Sequence, residues 1–405
     1  MTSQLRRGRA FSDGELGRRI RTLQETLAGA GLDAAILTSY PSIYYITGVP
    51  LHQFGRPAAV VVPAAGAPAL VVSIIELEHV RAQTPIEQVL TYWDYNPEPT
   101  YTRPQRPPAS MLHHVRSVMR ERRLDHGVIG LEAATLPHDL WTAFQSTFAG
   151  AHWQPASGLL DNLRLVKSAE ELAYIRSADA IADIGQVAML DGIVPGRSAE
   201  ALHEMTRSAM LGAVLDRHPG IPFHLRVNPG LGYPGIGAGH SEWITWGAAD
   251  LVSPGQVLVT MVDCILWGYT GNVERTVTVG EPTSIVRRDF ETMVEANERA
   301  IAAVRPGVPL AEIDKVCKQA LAEAGHVTRS GSGVGRGLVS YEGNWRESAM
   351  DVRLYSDVIL APGMSFSIEP DLQTLDATYR HCNTIIVTDA GCVVDSSVPR
   401  GVLVV

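Results

Sequence analysis

Four segments in the second half of the chain contain side chains that could carry out acid–base or ionic chemistry. His240 ends the glycine- and proline-rich stretch NPGLGYPGIGAGH, and a histidine on such a loop can act as a general base. Glu274 precedes an arginine in GYTGNVERT, and Glu369 follows apolar residues in FSIEP, where a buried carboxylate is costly unless it is paired. Arg346, in GNWRES, can bind a carboxylate through two parallel hydrogen bonds. A pocket that joined these groups could bind a charged molecule and move a proton.

Each of these side chains also has an ordinary structural interpretation. The chain has 13 histidines, so His240 can be a surface residue. Glu274 can form a structural ion pair with the arginine that follows it, and Glu369 can be buried because it is paired rather than because it reacts. Arg346 can be a solvated loop arginine. Residue type alone therefore leaves both interpretations open at all four positions.

The elements around these segments follow an α+β pattern in the second half of the chain. Ser168 and Glu171 form the S-x-x-E pattern of a capping box and predict the start of a helix. After it, helix pairs alternate with strands that we expect to be antiparallel. Further helices are predicted at about 198–212, 286–304 and 310–324, and strands at Val257–Asp263, Thr276–Val279, Met364–Glu369 and Asn383–Val387.

The first 160 residues predict a separate α/β domain, so we place the domains at 1–160 and 161–405. A helix begins after Ser12, and residues 96–110, with five prolines, form a loop. The apolar window 57–75 is long enough to span a membrane, but prolines and a glycine interrupt it, which favours two strands. Strands are predicted at Ala34–Leu37, Ile43–Ile46, Ala59–Val62, Ala69–Ile74 and Val128–Leu131.

Composition excludes several classes of protein. The 405 residues include 34 basic and 43 acidic side chains, and this net charge of −9 argues against a general nucleic-acid binder. The four cysteines have no C-x-x-C spacing, which argues against a disulfide framework or a zinc knuckle and favours the cytoplasm. No apolar stretch follows the basic start MTSQLRRGRAF, so we expect neither a signal peptide nor a membrane partner.

In chain order, five segments resemble the creatinase/aminopeptidase P/prolidase family. They are YPSIYYITGV, LRLVKSAEEL, GYTGNVERT, FSIEP and YRHCNTIIVTDAG. Because they extend over nearly the whole chain, the resemblance implies a small N-terminal creatinase-like α/β domain followed by a pita-bread catalytic domain.

The resemblance also implies the positions of the family's metal ligands, and most of them are changed here. The metal-dependent members use two Asp, one His and two Glu. The corresponding positions in this chain are Met261, Asn272, Ser332 or a neighbour in the run 330–337, Glu369 and Cys382. Methionine and asparagine cannot hold two hard divalent ions, so we expect no metal and no other cofactor. Asp263, two residues along the strand from Met261, could offer one ligand if the register shifted.

Within this family the chain is most similar to the metal-free creatinases. They have a glutamate in the place of Glu274, a histidine in the place of His240 and an arginine in the place of Arg346. They also have an FGR tripeptide, which corresponds to Phe54, Gly55 and Arg56. The metal-free ectoine hydrolases have a serine in the place of Glu274 and lack the FGR match, so they are the second-nearest group.

This resemblance implies hydrolysis of a C–N bond in a small zwitterionic guanidino or amidino compound. Glu274 and Glu369 would bind the cationic end, and Arg56 and Arg346 would bind the carboxylate. His240 would activate water or pass a proton to the leaving nitrogen. In the creatinases the FGR residues reach the neighbouring subunit's site, so we also expect a homodimer in which Phe54 and Arg56 complete the partner's pocket.

Three other functions stay open at this point. The chain can be an ectoine-like ring-opening hydrolase or lyase, a metal-dependent Xaa-Pro peptidase, or a binding protein that kept the pocket without catalysis. The altered run 330–337 and about four extra residues after His240 leave the substrate undefined.

Overall fold

The computed structural model describes residues 8–51, 56–93, 110–133, 136–230, 250–328, 330–338, 347–374 and 377–405, without the side chains of residues 347–349. The chain forms two compact units that divide between Arg164 and Leu165. The domain limits 1–160 and 161–405 stay a prediction.

The N-terminal unit is built on a mixed six-stranded sheet with strand order β4-β3-β2-β1-β5-β6. Its strands are β1 (Ala34–Leu37), β2 (Ala59–Pro63), β3 (Ala69–Ser73), β4 (Gln88–Tyr92), β5 (Val128–Leu131) and β6 (His152–Pro155). Its helices are α1 (Asp13–Gly29), α2 (Tyr40–Thr47), α3 (Leu77–Gln83), α4 (Met111–Glu121) and α5 (His138–Thr147), and α6 (Ser157–Leu165) ends at the division between the units. The predicted pair of strands in the apolar window is confirmed, since β2 and β3 are antiparallel neighbours.

The prediction of a strand at Ile43–Ile46 is wrong, because this segment forms helix α2. The Ser39 hydroxyl accepts a hydrogen bond from the Ser42 backbone N–H and caps the start of the helix, and Pro41 fits its first turn. Gly48 ends the helix in the left-handed conformation with φ +71°. These signals at both ends outweigh the strand preference of the isoleucines and tyrosines between them.

The C-terminal unit contains a three-stranded antiparallel sheet, β7-β8-β9, and a five-stranded sheet, β11-β10-β12-β15-β16. Strands β13 and β14 form a separate pair. The strands are β7 (Phe223–Asn228), β8 (Val257–Leu266), β9 (Tyr269–Thr278), β10 (Gly333–Gly335), β11 (Glu347–Val352), β12 (Ser365–Ile368), β13 (Asp371–Gln373), β14 (Thr378–Arg380), β15 (Asn383–Val387) and β16 (Cys392–Val394).

Each sheet of this unit packs against a pair of helices. Helices α7 (Ala169–Gly192) and α8 (Ala199–Arg217) share an apolar core with the three-stranded sheet. Helices α9 (Ser284–Ala303) and α10 (Leu310–Glu323) share another core with the five-stranded sheet. The capping box at Ser168 and Glu171 is confirmed, and so are the predicted helix pairs and antiparallel strands of an α+β unit.

Among the described residues, no helix is long and apolar enough to cross a membrane.

Candidate active site

Glu274 and Glu369 come from different sheets and lie close together inside the C-terminal unit. Glu274 is in β9, and Glu369 directly follows β12. The backbone of Glu274 exchanges two hydrogen bonds, of 3.3 and 3.1 Å, with Cys382, which directly precedes β15. Because β15 pairs with β12, this bridge joins the two sheets at the point where the carboxylates lie. The glutamates are only 4% and 5% exposed, so their charges need partners inside the protein.

Arg380, at the end of β14, supplies the main partner for both carboxylates. Its Nε lies 2.7 Å from Oε2 of Glu274, and one of its terminal nitrogens lies 3.0 Å from Oε2 of Glu369. The guanidinium therefore bridges the two glutamates. A planar cation with several N–H groups suits this position, since it can face two carboxylates at once.

Arg336, one residue beyond β10, adds a second buried guanidinium. Its Nη2 donates hydrogen bonds to Oδ1 of Asn272 at 2.7 Å and to the sulfur of Cys382 at 3.0 Å, and lies 3.8 Å from Oε2 of Glu369. Two arginines thus balance two glutamates. We call Glu274, Glu369, Arg336 and Arg380 the glutamate–arginine cluster. Removing either cation would leave an uncompensated buried charge.

The two glutamates of the cluster have different affinities for a proton. Burial raises the pKa of Glu274 to about 7, even though Arg380 favours its charged form. Burial also acts on Glu369, but there Arg380, Arg336 and the Cys382 thiol outweigh it and lower the pKa below its ordinary value. Near neutral pH, Glu369 is therefore ionised while Glu274 can exchange a proton. Two carboxyl groups whose environments separate their pKa values are typical of an acid–base site.

The positions that correspond to the family's aspartates lie on one face of β8 and β9. Met261 pairs across the strands with Glu274, and Asp263 pairs with Asn272. The Asp263 carboxylate accepts a hydrogen bond from the Asn272 side chain and lies 2.9 Å from Nη2 of Arg226. Asp263 is therefore a partner within a chain of polar contacts, and it does not replace the carboxylate missing at Met261.

The residues present do not fit a pair of hard divalent metal ions. Oxygen and sulfur atoms of Glu274, Glu369 and Cys382 lie within 4.8 Å of one another, but Arg380 already bridges the carboxylates. A thiol binds metal when deprotonated, and burial raises the pKa of Cys382 well above its usual value. The Ser332 hydroxyl donates to Asp314 at 2.6 Å and has a partner of its own.

The other predicted site residues lie elsewhere or outside the described part of the chain. Arg56 is in the N-terminal unit, where its backbone carbonyl accepts a hydrogen bond from the Tyr40 hydroxyl at 3.1 Å. Phe54, His240 and Arg346 lie outside the described residues. The structure therefore brings together Glu274 and Glu369, and the roles of all six residues stay predictions.

Sequence reasoning missed the two arginines of the cluster. A signal was present, because two glutamates buried in apolar strands require cations nearby. Arg380 occurs in the hairpin segment YRHCN, and Arg336 occurs in the glycine-rich run where the family has its metal-binding histidine. An arginine in a run that has lost its metal ligand is a candidate replacement for the missing positive charge.

Comparison with known proteins agrees with this fold. Residues 173–389 match "Metallopeptidase family M24", and residues 19–166 match "Creatinase/Prolidase N-terminal domain". The chain belongs to this family of creatinase- and prolidase-like hydrolases, and its C-terminal unit has the pita-bread fold that the resemblance implied.

Individual relatives include both peptidases and a creatinase. "Probable dipeptidase PepE" of Mycobacterium tuberculosis is 26% identical over 98% of this chain and 98% of that protein. "Creatinase" of a Bacillus species is 24% identical over 94% of this chain and 90% of that protein. The solved structure of an Xaa-Pro dipeptidase from Bacillus anthracis matches with a TM-score of 0.76 at 21% identity, covering 96% of this chain and all of that one, which shows the shared fold.

Proposed function

We propose that this protein hydrolyses a C–N bond of a small zwitterionic compound without a pair of divalent metal ions. The observation that carries this proposal is the glutamate–arginine cluster. Arginines contribute positive charge where the metal-dependent members of the family bind ions, and the carboxylate positions at 261 and 272 hold methionine and asparagine. When both glutamates are ionised, the net charge of the four side chains is zero, so the cluster needs no ion for balance.

The roles of the residues follow from their protonation. Hydrolysis adds water across the C–N bond: the oxygen bonds to carbon, and a proton reaches the leaving nitrogen. Glu274, with its pKa of about 7, can take up or release that proton near neutral pH. Glu369 stays ionised and holds Arg380 in place. His240 keeps its predicted role as the acid–base group that activates the water.

The two glutamates have a different role here from the one the creatinase resemblance implied. Binding the cationic end of a substrate would require that cation to compete with Arg380, which is close to both carboxylates. We therefore assign Glu274 and Glu369 to proton handling and to holding Arg380. A cationic group of the substrate needs another acceptor.

For the substrate, the relatives favour a dipeptide over creatine. A dipeptidase matches nearly the whole chain, at an identity slightly above that of the creatinase. A dipeptide is also a zwitterion with a C–N bond to cleave, so it meets the same chemical requirements. Dipeptides, including those with proline at the second position, are thus the first substrate class to test, and guanidino acids are the second.

A metal-dependent peptidase is the second candidate function. It is favoured by the dipeptidase relatives and by the closeness of the possible ligands Glu274, Glu369 and Cys382. It would require Arg380 to leave the carboxylates when an ion binds.

A substrate panel tests the proposal. Purified protein, prepared without added metal, is incubated with alanylproline, glycylleucine, creatine and ectoine, and products are read by mass spectrometry as a gain of water. We expect turnover of at least one compound and a loss of about 100-fold or more in Glu274→Gln. Glu323→Gln, which changes an exposed glutamate paired with Arg299, is the matched control and should retain full activity.

Each outcome of the panel favours one function. Turnover without metal that depends on Glu274 supports the proposal. Turnover that appears only after manganese, cobalt or zinc is added supports the second candidate. Absence of turnover under both conditions, or full activity in Glu274→Gln, contradicts the proposal.

A further inference from the structure

A small polar pocket borders the glutamate–arginine cluster on the side of β13. Its cavity volume is about 30 Å³, which gives room for one small group such as an ammonium and not for a whole substrate. The residues that line it include Ser330, Gly333, Arg353, Glu369, Asp371 and Arg380. Because Glu369 and Arg380 form part of its wall, a group bound here would be next to the cluster.

Asp371 is the unusual residue of this pocket. It is only 7% exposed, yet its Oδ1 has no hydrogen-bond partner among the described residues. Its Oδ2 accepts two long hydrogen bonds, from the Ser330 hydroxyl at 3.4 Å and from the Gln373 side chain at 3.2 Å. A buried carboxylate oxygen without a donor is costly, and few native groups are left in this state without a reason.

The nearby arginines are engaged with other carboxylates. Arg380 pairs with Glu274 and Glu369, and the Nε of Arg353 lies 3.1 Å from Asp351. In the described part of the chain, no cation lies within 4.0 Å of the Asp371 carboxylate. Arg380, the cross-strand partner of Asp371, acts on this charge from farther away, so Asp371 has no contact ion pair among the described residues.

We propose that Asp371 binds the cationic group of the substrate, an ammonium or a guanidinium, in this pocket. This inference rests on the proposed function. Because Arg380 already lies against both glutamates, the substrate's cation needs another acceptor, and Asp371 supplies it. Asp371 follows Glu369 by two residues, with Pro370 between them, so a cation bound to Asp371 would lie close to Glu369. The substrate's cation would lie in the pocket, with the scissile bond towards Glu369.

Ligand binding to Asp371→Asn tests this inference independently of turnover. The probes form two matched pairs, alanylproline with N-acetylalanylproline and creatine with N-acetylsarcosine, in which the second member lacks the cation. Binding is measured by calorimetry and by the shift in melting temperature. We expect wild-type protein to prefer the cationic member of at least one pair, and Asp371→Asn to bind it at least about tenfold more weakly.

Stability distinguishes a binding role from a structural one. Because Oδ1 lacks a partner, Asp371→Asn should melt no lower than wild type without ligand, whereas a structural carboxylate would leave the variant less stable. Asp357→Asn changes an exposed carboxylate outside the pocket and is the matched control, which should keep the preference.

The outcomes separate this inference from the proposed function. A wild-type preference that disappears in Asp371→Asn supports the inference, even if no probe is hydrolysed. Equal binding of both members of each pair by wild type, or an unchanged preference in Asp371→Asn, overturns it. Hydrolysis of a cationic probe at equal rates by wild type and Asp371→Asn overturns it as well, while the proposed function stands.

Discussion

At the level of single residues, the main feature of the site is that its two neighbouring glutamates differ in pKa. Glu274 and Glu369 share Arg380, and the charge of Arg336 acts on both. Glu369 also lies 3.8 Å from Arg336 and interacts with the thiol of Cys382. This difference in partners gives one ionised carboxylate and one that titrates near neutral pH. The proposed proton transfer by Glu274 depends on this asymmetry.

The asymmetry predicts opposite effects of pH on two variants. The folded pKa of Glu274, about 7, lies above the ordinary value of 4.5, so folded wild type holds a proton that the unfolded chain releases. Its stability contribution therefore falls as pH rises from about 4.5 to 7. Relative to wild type, the free energy of unfolding of Glu274→Gln should rise over this interval, by at most about 3 kcal/mol.

Glu369→Gln should show the reverse trend. The folded pKa of Glu369 lies below its ordinary value of 4.5, so this group stabilises the fold above pH 4.5 and loses that effect as pH falls through its folded pKa. The free energy of unfolding of Glu369→Gln should therefore be lower than that of wild type near neutral pH, and this difference should become smaller at acid pH. Urea unfolding of both variants from pH 3.5 to 8 measures the two trends, and parallel curves for both variants would contradict the asymmetry.

At the scale of elements, strand β9 positions the site because α7 packs directly against its backbone. The Asn272 backbone N–H donates a hydrogen bond to the buried Asp179 carboxylate of α7 at 3.0 Å. At Gly271, a Cβ atom would lie 2.2 Å from the Asp179 backbone nitrogen and 2.3 Å from the Ala178 carbonyl carbon. Glycine is thus required for this close approach, which fixes Asn272 and Glu274.

Gly271→Ala should therefore damage both stability and the site. The extra methyl group has to push β9 away from α7, at a cost of about 1–3 kcal/mol or more. Thermal unfolding should show a clearly lower melting temperature, and the purified variant should be less active.

Gly212→Ala is the matched control, because it adds the same methyl group on α8 where no atom lies within 4 Å. It should be neutral or stabilising by about 0.5–1 kcal/mol, since alanine favours a helix. Equal melting temperatures for Gly271→Ala and wild type would contradict the role of this contact.

Most elements could be predicted from the sequence, whereas their junctions could not. Apolar runs and capping patterns indicated β1, β5, α7 and α9, because these signals are local. The bridge between Glu274 and Cys382 joins residues 108 positions apart, and nothing local indicates it. Arg380 and Asp371 were missed for the same reason, since their roles depend on which strands meet.

At the scale of the whole molecule, the chain combines the family's two domains with a changed set of ligands. The resemblance to the family is enough to predict from the sequence that Met261 and Asn272 replace carboxylates. The arginines that compensate the charge of the glutamates could be identified only from the structure. The homodimer with Arg56 and Phe54 completing a neighbouring site stays a prediction, as do the contributions of His240 and Arg346.

Metal analysis shows whether the chain acts without two divalent ions. Protein purified without added metal is analysed by mass spectrometry for manganese, cobalt, zinc and iron. Its melting temperature and its hydrolysis of the best substrate are then compared before and after treatment with a chelator, and after each metal is added. We predict well below one ion per chain, with the rate and melting temperature unchanged by either treatment. Two ions per chain, with activity lost on chelation and restored by metal, would contradict the account.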